Sequence, residues 1–198
     1  MLRRRSAPDR LRNIYVADDD EHKGPLWAPW RMDYILAPKD KDAGARPGCI
    51  FCNFPALPAH FRENLVLVAN EHVAVMLNRY PFLAGHVLVM PRRHVPNISD
   101  LTDAENDVFF RAVRDVSARL RAHVKPQGLN YGINEGAAAG AGIADHLHAH
   151  LVPRWHGDYN FMPVIADTRV MPEHLDATFV RLLPAFRGMP GACPESAP

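Results

Sequence analysis

A chain of 198 residues with 47% hydrophobic and 23% charged residues can fill one core, and its composition excludes global disorder. A formal net charge of +1 excludes the broad basic footprint of a nucleic-acid-binding surface, so any nucleotide partner should be small. Three cysteines make no disulfide framework and no run approaches a membrane span, so the expectation is one cytoplasmic domain with extensions and no membrane partner.

Residues 1–24 are basic, then acidic, and read as a flexible N-terminal arm. Arg3, Arg4 and Arg5 resemble a targeting n-region, but Asp18, Asp19, Asp20 and Glu21 stand where an apolar stretch would be needed. Residues 25–48 form an aromatic extension and linker, in which Trp27 and Trp30 call for burial against the core, the active site or a subunit boundary, as does Trp155 further on.

Short apolar runs at Leu65–Val68, Val73–Leu77 and His86–Met90 are joined by links too short for helical crossovers, which predicts an antiparallel meander. Thr102 and Glu105 have capping-box spacing, and Phe109, Val113, Val116 and Leu120 then form one apolar stripe. A long helix from Thr102 to Lys125 is expected, ended by Pro126 and Gly128. Leu129, Tyr131 and Ile133 alternate with polar or small residues as a half-buried strand does. A shorter helix is expected from Pro172 to about Phe186, within a C-terminal extension over 158–187, and 188–198 reads as a disordered tail.

Between these elements lies His146-Leu147-His148-Ala149-His150-Leu151-Val152. In an extended strand His146, His148 and His150 share one face while Leu147, Ala149 and Leu151 anchor the other. Positions four apart in a strand are about 13 Å apart, too far for one metal with bonds of about 2 Å to take all three rings. Covalent catalysis needs a neutral imidazole with one nitrogen on an electrophile and the other donating to a fixed acceptor, for which the middle residue, His148, is best placed. A zinc hydrolase using two of the histidines is the competing chemistry. The preceding Gly136–Gly142 stretch is either a connector or, through Gly140 and Gly142, a loop whose amides approach a phosphate.

These residues resemble the histidine-triad (HIT) superfamily, whose signature alternates three histidines with apolar residues. Asn78-Arg79-Tyr80-Pro81, Gly85-His86-Val87 and Asn134-Glu135-Gly136 match in order, and the similarity spans residues 49–157, the expected HIT domain. Pro25–Met32, Pro153-Arg154-Trp155 and Gly157–Phe161 resemble the bacterial branch related to diadenosine tetraphosphate phosphorylases and fragile-histidine-triad hydrolases. The resemblance implies an α+β fold: an antiparallel sheet of about five strands with one long helix and short terminal helices. It further implies cleavage of dinucleoside polyphosphates, diadenosine tetraphosphate by preference, through nucleotidyl-His148. In that scheme His150 and His146 support the nucleophile, His86 and Asn134 position it and the phosphate, and Asn78 contacts the ribose. The acceptor, phosphate or water, depends on a second anion pocket to which Arg154 or Arg79 would contribute. A nucleoside phosphoramidase, or a nucleotide-binding module of low turnover, is the alternative.

Cys49-Ile50-Phe51-Cys52 is half a tetrahedral zinc site, and the resemblance implies His94 and His146 as its other ligands. The same cysteines would otherwise be two packed thiols beside Ile50 and Phe51. With zinc, His146 becomes structural and His148 and His150 keep the chemistry. No organic cofactor is expected, magnesium would arrive with the substrate, and the resemblance implies a homodimer.

Overall fold

The computed structural model describes residues 48–158 and 171–194, so the expected N-terminal arm, Trp27 and Trp30 lie outside the described residues. Five strands, β1 (Val66–Ala69), β2 (Val73–Leu77), β3 (Val87–Pro91), β4 (Gly128–Ile133) and β5 (Ala149–Arg154), form one sheet in the order β1-β2-β3-β5-β4. Every pairing is antiparallel, and within β1-β2-β3 the short links demand it. The α-helices among the described residues are α1 (Ile50–Asn53), α2 (Asp103–Val124) and α3 (Leu175–Leu182).

Helix α2 begins as its sequence dictates. The Glu105 amide donates to the Thr102 hydroxyl at 3.3 Å while the Glu105 carboxylate accepts from the Thr102 amide at 2.9 Å. The helix ends at Lys125, which takes the left-handed conformation at φ 47° just before Pro126. Phe109, Val116 and Leu120 are fully buried and share one core with Ala149 and Leu151 of β5. Strand alternation then turns His150 to the opposite face of β5, where its register partners are Leu88 of β3 and Gly132 of β4. One face of β5 is thus core and the other is available for chemistry.

The C-terminal expectation needs correction. Residues 191–193, read as part of a disordered tail, lie along β1: the Ala69 amide donates to the Gly191 carbonyl at 2.8 Å and the Cys193 amide to that of Leu67 at 2.9 Å. Strand β1 is a sheet edge whose backbone groups need partners, and the segment supplies them despite Pro190 and Pro194. Gly191 has φ +77°, and a Cβ there would overlap the Ala69 carbonyl, so the close approach requires glycine. Cys193 is consequently buried.

Candidate active site and metal centre

The triad departs from one regular strand. Strand β5 begins at Ala149, so His146 and His148 precede it, and the Leu147 amide bonds to the Val95 carbonyl at 2.6 Å. The irregular lead-in lets the three rings diverge instead of standing in a row.

His146 turns toward the cysteines. Its Nδ1 lies 3.3 Å from Cys49 Sγ and 3.5 Å from Cys52 Sγ, and His94 Nδ1 lies 3.3 Å from Cys52 Sγ. All four candidate donor atoms fall within 4.8 Å of one another. Tetrahedral zinc with ordinary Zn–S and Zn–N bonds separates sulfur from nitrogen by about 3.5 Å, so these residues fit such an ion. The second ring nitrogen of His146 donates to the Pro91 carbonyl at 2.9 Å, which leaves the Nδ1 lone pair facing the sulfurs.

His148 is 4% exposed, and its Nδ1 donates to the His146 carbonyl at 2.8 Å. In the neutral ring the lone pair is therefore on Nε2. Burial is the main influence on its pKa and holds it below the ordinary 6.5, with the bond to the His146 carbonyl working the other way.

His150 has the opposite tautomer, which follows from a chain of bonds. The Phe82 amide can only donate, so His86 Nδ1, 3.1 Å away, must accept; His86 Nε2 then carries the hydrogen and donates to His150 Nδ1 at 2.9 Å. The neutral His150 ring must carry its own hydrogen on Nε2, a buried nitrogen without a hydrogen-bond partner among the described residues. Burial, reinforced by neighbouring histidines, pushes His86 down to about 3 and His150 down to about 4, so both are neutral at physiological pH.

A cavity of about 270 Å³ opens beside His150, lined by Phe82, Asn130, Gly132, Asn134 and Arg154 among others. Asn134 shares this cavity wall with His150. Asn78 joins the same bonded chain: its amide donates to His86 Nδ1 at 3.3 Å and its carbonyl accepts from the Tyr80 amide at 2.9 Å. The Gly140 amide closes a turn onto the Ala137 carbonyl at 3.0 Å, whereas at Gly142 the space for a side chain is open. Arg154 is held by Asp158 at 2.6 Å and by Asn130 at 2.6 Å, and Arg79 donates to the Glu63 carbonyl at 3.1 Å.

Three contacts escaped the sequence reading. Phe82 stacks on His150 with ring centroids 5.9 Å apart, Asn130 joins the cavity wall, and Phe51 touches His148 with centroids 4.9 Å apart. Phe51 and Phe82 had a signal in their position inside the Cys49–Cys52 and Asn78–His86 motifs; Asn130 had none. His60, His72, His123, His156 and His174 are exposed. Among the described residues no helix is long and apolar enough to cross a membrane.

A five-stranded antiparallel sheet carrying a buried set of oriented, neutral imidazoles defines a class of protein, and comparison with known proteins gives it a family. Residues 61–157 match the HIT domain family. The AP-4-A phosphorylase of Mycobacterium tuberculosis is 38% identical over 156 residues, 77% of this chain and 79% of that protein. The chain belongs to the HIT family. A histidine triad nucleotide-binding protein from Sulfolobus tokodaii superposes with a TM-score of 0.55 at 25% identity, covering 71% of this chain and 93% of that one. A zinc-bound histidine triad protein from Mycobacterium smegmatis gives 0.51 at 26% identity, covering 68% and 92%.

Proposed function

We propose that this protein cleaves dinucleoside polyphosphates, diadenosine tetraphosphate by preference, through a covalent nucleotidyl-His148 intermediate. The observation that carries this reading is the pair of opposite tautomers on adjacent rings: a lone pair on His148 Nε2 and a hydrogen on His150 Nε2. The first is a nucleophile and the second a donor to phosphate oxygen.

His148 Nε2 attacks the α-phosphorus, forming an N–P bond as the bond to the bridging oxygen breaks and ATP leaves. His150 and Asn134 donate to the phosphate oxygens as charge builds, and Gly142 admits the chain closely. The His146 carbonyl takes up the charge that develops on the His148 ring, while His86 and Asn78 act through His150. An acceptor oxygen then attacks the same phosphorus and the N–P electron pair returns to Nε2. Water as acceptor yields AMP and phosphate yields ADP. The M. tuberculosis relative's name supports the substrate and favours phosphate as the acceptor.

Cys49, Cys52, His94 and His146 would hold zinc, and the zinc-bound M. smegmatis relative supports that metal. With four protein ligands the ion supplies a cross-link and has no open position for substrate. Magnesium belongs with the polyphosphate and needs no protein cage. Assembly as a homodimer through β4 is supported by the contrast between the two sheet edges, since residues 191–193 cover β1 and no strand pairs with the outer side of β4 among the described residues. Sedimentation of the full chain tests it, and a monomer at micromolar concentration refutes it.

The test of function is incubation with diadenosine tetraphosphate with and without phosphate, product analysis, and a denaturing alkaline quench to trap the adduct. ATP with ADP in phosphate, or ATP with AMP in water, is expected, together with labelled protein that His148→Ala lacks. Full turnover by His148→Ala would rule out the covalent route.

A further inference from the structure

The structure assigns Phe51 the role of a positioning residue for His148, held in place by the Cys49–Cys52 turn. This inference rests on the proposed use of His148 as nucleophile and deepens it.

The single hydrogen bond from His148 Nδ1 to the His146 carbonyl fixes the tautomer, but one bond leaves the ring free to pivot about it. Attack on phosphorus requires Nε2 to hold a line, so something must set the ring's plane. Among the described residues two rings touch it: His150, at 4.9 Å between centroids, and Phe51, also at 4.9 Å with the planes 54° apart. His150 belongs to the donor chain and is aligned by His86. Phe51 belongs to a different part of the fold and is 2% exposed, and it also meets His146 edge-on at 5.6 Å. Having no polar atom, it can press on His148 without engaging the Nε2 lone pair that attack requires.

Helix α1, which carries Phe51, has four residues and no side-chain cap, too short to be stable alone. What anchors it is the pair of sulfurs at its ends, beside His94 and His146, together with the bond from Arg92 to the Pro55 carbonyl at 3.0 Å in the turn that follows. The metal cluster and the nucleophile are therefore joined twice, through the backbone of His146 and through the ring of Phe51. The second link runs through side-chain packing, so it can be weakened without removing a metal ligand.

The experiment compares full-length wild type, Phe51→Leu and Phe51→Ala. Zinc content is measured by elemental analysis, thermal midpoint by circular dichroism, kcat and KM with diadenosine tetraphosphate, and the histidine ring ¹⁵N resonances at pH 8. In wild type the His148 resonances should report one fixed tautomer. In Phe51→Ala the freed ring should pivot off the His146 carbonyl for part of the time, so that nothing then holds the hydrogen on Nδ1. The resonances should then move toward an averaged position while zinc stays at the wild-type level, with kcat lower by about 10–100-fold and KM little changed. Phe51→Leu should lie between, and it decides the matter alone if the alanine variant does not fold. Wild-type kcat in a folded variant, unchanged His148 resonances, or a loss of activity that follows loss of zinc would each overturn the assignment. If wild type fails to cleave the substrate, the functional reading falls, and the resonances still decide whether Phe51 orders His148.

Discussion

His148 Nδ1 donates to the backbone carbonyl of His146, two residues upstream, at 2.8 Å. A backbone carbonyl cannot donate, so this bond orients the ring and keeps the Nε2 lone pair outward for as long as the ring is neutral. Burial favours neutrality and holds the pKa below 6.5. The attacking form therefore persists below that pH, and the acid limb of kcat/KM should be centred below 6.5. A pH–rate profile from 8 to 4.5 checks this, and a limb centred at or above 6.5 contradicts it.

His86 is expected to matter without touching substrate. Replacing it by alanine leaves His150 Nδ1 without the donor now 2.9 Å away, and the ring can then adopt the tautomer that turns a lone pair toward phosphate. A loss of about 100-fold in kcat with a smaller change in KM is predicted. Steady-state kinetics with His86→Ala and His86→Gln test it; activity within threefold of wild type in the alanine variant would refute the relay.

Stability should also weaken in acid. His86 is held at about 3 when folded against about 6.5 when unfolded, so the unfolded chain takes up the proton first as pH falls. Its contribution is complete above 6.5 and is lost progressively toward 3. Urea midpoints at pH 8, 6 and 5 should fall in that order, and less steeply in His86→Phe. A midpoint that rises on acidification would contradict the sign.

Loss of one sulfur should release the metal cross-link. Cys49→Ser is predicted to bind zinc substoichiometrically and to melt roughly 5–10 °C lower, corresponding to about 3 kcal/mol. Elemental analysis and a thermal scan decide. A wild-type protein free of zinc after careful purification would exclude the centre.

At the other end of the sheet, Gly191→Ala should detach the segment covering β1, since the added Cβ meets the Ala69 carbonyl and φ is +77°. A destabilisation of about 1–3 kcal/mol with unchanged kcat is expected. Hydrogen exchange at the Ala69 amide provides a local reading, and undiminished protection there would show that the contact is dispensable.

The long helix, the meander and the motif-bearing residues were legible because each depends on neighbours in the chain. Capping by Thr102 and Glu105 and the Phe109–Leu120 stripe are local patterns and appear where the spacing put them; β4 forms as a strand, but its burial does not alternate, since Tyr131 is exposed along with Asn130 and Gly132. The triad was legible as a motif, and so, through the resemblance, was the grouping of His146 and His94 with Cys49 and Cys52. Left open was which nitrogen of each ring holds the hydrogen, since that depends on partners brought in from afar. His86 and His150 are 64 positions apart, and Cys49 and His146 are 97 apart. The break that puts His146 ahead of β5, the capture of Asn78 by His86, the Phe51 contact and the return of residues 191–193 to β1 were likewise decided by packing. The sequence alone determined which chemical groups were present and on which local elements; the tertiary structure alone decided their hydrogen-bond partners, and with them which histidine ring carries a lone pair and which a proton.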